Sequence, residues 1–282
     1  MNSPTIGLIV TGADALKDFS VFIKTLETWH PNAVLYVLTD SKTNLSSVQR
    51  KCKINTKITL DAYAGKTRKV MEKMPGKVYD TLFKDFTYEK ANVLRWMFEA
   101  QPSLKDTGVW LMDADIVHLA PLPDIPKTAT LALCPHYINS QDEALYGHYN
   151  AGMLWLKDSS LINVWCEAGK TSRFFEQASL EVIAEKAKAT LYEFPVQVNF
   201  GWWRMFQGID DKKEVQNKFS LFRADNSVGV RYDGVCLQSI HTHSFDRSPG
   251  ANGFFNIWLA AWLTKFASAH PPLAEWKRIV FG

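Results

Sequence analysis

VWLMDADIV, Val109 to Val117, passes in one step from four apolar residues to a pair of carboxylates and back. A short continuous apolar run reads as a strand buried on both faces, the kind found inside parallel sheets. Open α/β sheets bind ligands beyond the carboxyl ends of their strands, so Asp113 and Asp115 are expected to project into such a crevice. Two carboxylates one residue apart can hold a hard divalent cation that bridges phosphate oxygens. Either Asp can also cap the turn that follows, as Asp often does.

Similar runs lie upstream. Ile6–Val10 ends at Thr11-Gly12, Val34–Leu38 closes on Thr39-Asp40, and Lys57–Leu60 is a weaker third strand. Apolar residues at 19, 22, 23 and 26 predict a helix over Asp18–Trp29; Ala91, Leu94, Met97 and Phe98 predict another over Thr87–Ala100, stopped by Pro102. This alternation predicts an α/β fold with a mostly parallel central sheet flanked by helices. After residue 120 the pattern changes. Strand-like runs at Thr130–Leu133 and Gly152–Leu156 mix with helices around 160–166 and 173–188, then with extended segments at Phe194–Trp203 and Val235–His243. No repeat or linker interrupts the chain, so one domain over residues 1–282 is expected.

Composition narrows the function classes. With 32 Lys+Arg against 29 Asp+Glu, the net charge of +3 is too small and dispersed for a nucleic-acid binder. The apolar stretch Phe254–Phe266 falls short of the ~20 residues a spanning helix needs, and reads as a buried amphipathic helix. Lys265 is the only cation within it, so peripheral membrane contact is not indicated. The N-terminus lacks a signal-peptide pattern, which predicts a cytoplasmic protein. Four Cys, at 52, 134, 166 and 236, show no C-x-x-C spacing and are expected as reduced thiols. Ten Trp can fill a core or line a carbohydrate site.

The landmarks taken in order resemble a GT-A glycosyltransferase, most of all the retaining glycogenin and lipopolysaccharide galactosyltransferase type, glycosyltransferase family 8. Ile6–Asp14 resembles that family's opening strand and nucleotide loop, Leu35–Asp40 its second strand, and Tyr88-Glu89-Lys90 its Tyr-x-(Arg/Lys) helix start. Trp110–Val117 with Pro121-Leu122 resembles its D-x-D block, and Tyr149-Asn150-Ala151-Gly152-Met153-Leu154 its Asn-Ala-Gly strand. Glu176-Gln177 is similar to its Asp-Gln helix, Phe194-Pro195…Asn199 to its Leu-Pro…Asn segment, and His241–Arg247 to its His-Tyr-x-Gly-x-x-Lys motif. Glu replaces Asp at 176, Arg replaces Lys at 247, and Ser244 stands at the Gly position.

That resemblance implies a nucleotide-binding half over 1–120, a sugar and acceptor half over 121–250 and a C-terminal helical segment over 251–282. It implies Mn²⁺, or Mg²⁺, on Asp113, Asp115 and His241, with His243 as a rival ligand two residues on. Thr11, Gly12, Asp40 and Ala114 would line the nucleoside, while Lys90 and Arg247 would meet the diphosphate. Asn150, Glu176 and Gln177 would surround the sugar, Gln177 beneath the anomeric carbon and Glu176 on hydroxyls or, alternatively, as covalent nucleophile. Trp202, Trp203, Tyr146 and Tyr149 lie close enough in sequence to stack on sugar rings. The implied activity is metal-dependent transfer, with retention, from a UDP-sugar to a carbohydrate, glycoconjugate or protein acceptor. Two other readings stay open: a phosphohydrolase with Asp113 as nucleophile, and a catalytically weak nucleotide-sugar-binding protein.

Overall fold

The computed structural model describes residues 3–224 and 227–282. The first half runs β1 (Thr5–Val10), α1 (Ala13–Trp29), β2 (Val34–Thr39), β3 (Lys53–Ile58), α2 (Arg68–Met71), α3 (Leu82–Ala100), α4 (Leu104–Thr107) and β4 (Val109–Met112). The chain continues through β5 (Ile116–His118), β6 (Leu131–Pro135), α5 (Ser140–Tyr146), β7 (Tyr149–Leu156), α6 (Leu161–Gly169), α7 (Leu180–Lys186) and β8 (Leu191–Glu193). It closes with β9 (Phe200–Gly201), α8 (Trp203–Phe206), α9 (Lys212–Asn217), β10 (Phe219–Ala224), β11 (Ser227–Tyr232), β12 (Val235–Cys236), β13 (Ser239–His241), α10 (Ala251–Ala267) and α11 (Pro271–Phe281).

The central sheet has the order β3-β2-β1-β4-β7-β6-β8. Its first four strands are parallel, as is the β6–β8 pair; β7 alone runs against both its neighbours. Strand alternation divides the core between two faces. In β4, Val109 and Leu111 join the face covered by α3 and α6, while Trp110 and Met112 join the face covered by α1. All four are between 0% and 6% exposed. Burial on that scale stabilises the fold by ~1.5–3 kcal/mol per large side chain.

Several boundaries depart from the sequence expectation, each for a local reason. α1 begins at Ala13 because Gly12, at φ 85°, turns the chain out of β1 and its carbonyl accepts from Leu16 N. α3 begins at Leu82, where the Thr81 hydroxyl accepts from Lys84 N. β3 lies at Lys53–Ile58 rather than 57–60; it is an edge strand with an exposed polar sequence, KINTKI, that an apolar-run reading passes over. The helix expected over 173–188 exists only from Leu180, because Phe175 takes φ 39°. Within Phe194–Trp203 only Phe200–Gly201 is strand, and α10 buries Phe255 and Leu259 while Phe254 and Ile257 stand about half out in solvent. Among the described residues, no helix is long and apolar enough to cross a membrane. The four cysteines are free; burial pushes the thiols of Cys52 and Cys134 up to about 12.

A small second sheet positions the distant part of the site. β13 pairs antiparallel with β5 and parallel with β9, and its register sets His241 against Ile116. Thr242 N then donates to the Asp115 carbonyl, so residue 241 arrives beside the D-A-D turn from more than a hundred residues away.

Candidate active site

Asp113 and Asp115 leave the carboxyl end of β4 and face a cleft of about 430 Å³. Asp113 N donates to the Gly152 carbonyl of β7, which fixes the turn, and Ile116 N donates to the Asp113 carbonyl. His241 reaches the pair from β13: its Nε2 stands 3.1 Å from Asp115 Oδ1 and 3.9 Å from Asp113 Oδ2. One ligand atom from each of the three residues lies within 4.8 Å of the others, the only such group among the described residues. Two hard carboxylates and one imidazole form a donor set that could hold a divalent metal ion.

Neighbouring side chains fix the imidazole. His241 Nδ1 is 3.0 Å from Asn199 Oδ1, and an Nδ1–H donated there leaves the Nε2 lone pair facing the carboxylates. Asn199 is fully buried, sits at φ 56°, and donates its own Nδ2 to Asn150 Oδ1, which also accepts from Gly152 N. Gly152 has no room for a side chain: a Cβ there would lie 2.1 Å from His241 Cε1. The Trp203 ring meets His241 edge to face at 5.2 Å and walls it from behind.

His243 lies past the end of β13 and is bound differently. Its Nδ1 is 3.1 Å from Asp18 Oδ2 and 3.3 Å from Asp115 Oδ2. The Asp115 charge and then the Asp18 hydrogen bond raise its pKa to about 9. The group of converging ligand atoms found among the described residues contains His241 and not His243. Burial works to raise the Asp115 carboxyl, but the two histidines outweigh it and hold it below the ordinary carboxylate range. For Asp113, burial outweighs the attraction of Lys90 and raises the carboxyl.

Lys90 lines the cleft with its N–H bonds turned to acceptors of the protein. Its ammonium is buried 2.9 Å from both Asp113 Oδ1 and Glu176 Oε1, and it donates to the Ala151 carbonyl at 3.2 Å. Three acceptors account for its three N–H bonds, so Lys90 orients the two carboxylates. Burial disfavours its charge, yet Asp113 and Glu176 more than restore it. Glu176 is buried in a turn ahead of α7 and belongs to no exposed helix face; Trp165 Nε1 and Ser179 Oγ both donate to its carbonyl. Gln177 is anchored by Nε2 to the Tyr146 carbonyl at 2.9 Å, and its Oε1 accepts from Asn150 Nδ2 at 3.3 Å. Both residues, with Ala114, line the cleft.

The remaining expected residues lie elsewhere. Asp40 is buried and accepts from the Thr11 and Thr43 hydroxyls and the Lys42 and Thr43 amides, so its carboxylate joins the β1 and β2 loops. Burial opposes its charge, but those bonds hold its carboxyl below the usual range. Arg247 is turned away from the cleft: it donates to the Ser244 and Asp246 carbonyls and lies 5.5 Å over the Phe281 ring of α11. Neither Trp202 nor Tyr146 lines the cleft, Trp203 is the wall behind His241, and Tyr149 is buried with its hydroxyl on Glu193. Phe83, Phe86, Phe174 and Phe175 form the aromatic lining instead, beside Arg68 and Asp18. A larger cavity, about 830 Å³, opens at the opposite edge of the sheet around Thr5, Trp110 and Trp155, away from every residue of this cluster.

No family profile and no curated protein matches the sequence. Solved structures do match. The galactosyltransferase LgtC, in complex with donor and acceptor sugar analogues, aligns with 90% of this chain and 94% of its own length at 13% identity and a TM-score of 0.50. WbbM, a bifunctional glycosyltransferase, aligns with 75% of this chain but 42% of its own, at 11% identity and a TM-score of 0.45. The glycosyltransferase GlyE of Streptococcus pneumoniae gives 71% and 48%, at 11% identity and a TM-score of 0.40. The chain thus spans less than half of WbbM and GlyE and nearly all of LgtC. The likeness to LgtC is one of fold, and in fold this chain is a GT-A-type α/β protein resembling those of glycosyltransferase family 8.

Proposed function

We propose that the protein is a metal-dependent glycosyltransferase that moves a sugar from a nucleoside-diphosphate donor, UDP-linked by resemblance, to an acceptor hydroxyl with retention of configuration. The observation that carries this reading is the convergence of Asp113, Asp115 and His241 at the carboxyl edge of a GT-A sheet, in a cleft shared with Glu176 and Gln177. Those three residues would hold the ion. When bound, it supplies positive charge against the negative charge that develops on a departing nucleoside diphosphate.

The chain's own residues do the rest. Lys90 holds Asp113 and Glu176 at fixed spacing, so the ligand carboxylate and the sugar-facing carboxylate keep one relative geometry. Gln177, tied at both ends of its amide, presents a fixed edge to the cleft beside Asn150, where a sugar hydroxyl can be oriented. In the retaining route the acceptor hydroxyl attacks from the face the leaving group vacates, and its proton passes to the leaving phosphate oxygen. The arrangement asks no side chain to act as a strong nucleophile.

Purified protein incubated with UDP-glucose, UDP-galactose, GDP-mannose and dTDP-glucose is expected to release UDP from a UDP-sugar only when Mn²⁺ is present. The anomeric configuration of the product, read by NMR, tests retention. Phosphate release from a generic phosphoester without nucleotide turnover would replace this reading with the phosphohydrolase one.

A further inference from the structure

We propose that Arg68 is a substrate-binding residue of the cleft, its guanidinium receiving an anionic oxygen group, phosphate or carboxylate. Arg68 opens α2 and lines the same cavity as Asp113, Asp115 and His241. Two rings flank it: the guanidinium carbon lies 5.0 Å from the Phe83 ring centre and 4.9 Å from that of Phe175, and these two rings meet edge to face. Its Nε is 2.7 Å from Glu72 Oε1, one turn along the chain. The two terminal nitrogens have no acceptor among the described residues. A guanidinium held between two aromatic rings and by Nε keeps its terminal nitrogens free, and they form the planar fork that matches phosphate or carboxylate.

The charges around the cleft argue for the same role. Asp18, Asp113, Asp115 and Glu176 all line it. Lys90 spends its three protons within the protein, His243 meets Asp18 and Asp115 through Nδ1 alone, and Arg247 packs against Phe281 of α11. Among the described residues, Arg68 is therefore the lining cation that offers a two-nitrogen fork, His243 having only its Nε2 left. The backbone around it is specialised too. Phe175 adopts φ 39°, a strained value for a residue with a side chain, and the turn that sets its ring under Arg68 also aims Glu176 into the cleft.

A phosphoryl source would be the donor diphosphate, which rests on the transferase reading; a carboxylate source would be an acidic acceptor sugar. Calorimetry separates them. Wild type, Arg68→Gln and Arg68→Lys are titrated with inorganic pyrophosphate and UDP in the presence of Mn²⁺, with glucuronate, and with uridine as the uncharged control. For a phosphoryl source, Arg68→Gln weakens pyrophosphate and UDP by roughly tenfold or more, leaves uridine and Mn²⁺ binding unchanged, and Arg68→Lys recovers only part. Loss confined to glucuronate identifies the carboxylate source. Equal affinities across all three proteins overturn the proposal while leaving the transferase reading intact. Arg68-dependent pyrophosphate binding by a wild type that ignores UDP-sugars does the reverse. Arg68 is 57% exposed, so its variants are expected to melt as wild type does.

Discussion

At the level of single residues, the convergence of Asp113, Asp115 and His241 was half legible. Asp113 and Asp115 announce themselves because an apolar run stops on them; His241 needed its motif, since His243 shares the same local sequence. Asn199 gives no sign in sequence that its amide holds the His241 ring, because that contact depends on a left-handed backbone in a loop. Three variants separate these roles. His241→Ala is expected to abolish tight Mn²⁺ binding and His243→Ala to spare it. Asn199→Gly keeps the φ 56° backbone at little cost, removes only the amide, and should weaken Mn²⁺ by about 10–100-fold. Electron paramagnetic resonance of free Mn²⁺ reads all three. Lys90 is similar: a helix residue by sequence, a buried counter-ion in the fold. Lys90→Met leaves Asp113 and Glu176 without their cation and should destabilise the metal-free protein by about 3–5 kcal/mol in urea unfolding. Lys90→Met combined with Glu176→Gln should recover part of that loss, and a fully additive double variant would show that the ion pair does no such work.

At the level of elements, β1, β2 and β4 were legible because burial on both faces writes a continuous apolar run. The turn over 171–179 was not: it looks helical by composition, and it is bent by a positive φ at Phe175 and by two donors that claim the Glu176 carbonyl. β7 is the element on which the site depends most. It runs antiparallel between β4 and β6, its register with β6 shifts between Leu133 and Cys134, and it carries Asn150, Ala151 and Gly152 past the D-A-D turn. The Gly152 position is a steric requirement, not a conformational one, since a Cβ would strike His241 and Asn150. Gly152→Ala should therefore push the imidazole out of the cluster, with overpacking costing about 1–3 kcal/mol and Mn²⁺ affinity falling at least tenfold. A variant that binds Mn²⁺ as wild type does would mean that the ring has another place to go within the site.

For the whole molecule, the site is made by closing a late segment onto an early one, and that closure carries a pH signature. β5 joins β13 to α1: His118 N donates to Thr25 Oγ1, and the His118 ring meets Phe22 edge to face at 5.0 Å. No sequence pattern foretells this seam, because β5 is three residues long and its partners lie about ninety residues before and a hundred and twenty after it. Burial pushes His118 down to about 3, and its Nε2 has no partner. Burial likewise pushes His136, beside Asn150, down to about 4; its Nδ1 is hydrogen-bonded to the Gly147 carbonyl and its Nε2 faces Asn150 Nδ2. Both rings are therefore neutral in the fold, while in the unfolded chain they protonate near 6.5. Above that pH neither state binds the extra protons and the fold keeps its full stability. As pH falls from about 6.5 towards 3, the unfolded chain gains protons the fold excludes, and stability is lost, by roughly 4 kcal/mol for His118 alone. His243 has the opposite sense: its pKa is raised to about 9, so its stabilising charge is complete below about 6.5 and fades as pH rises through 9. The metal-free protein is therefore expected to be most stable near neutrality. His118→Leu should flatten the acid limb of urea midpoints measured between pH 4 and 7 and leave the limb above pH 8 unchanged. An acid limb as steep in His118→Leu as in wild type would place the acid sensitivity elsewhere than in this seam.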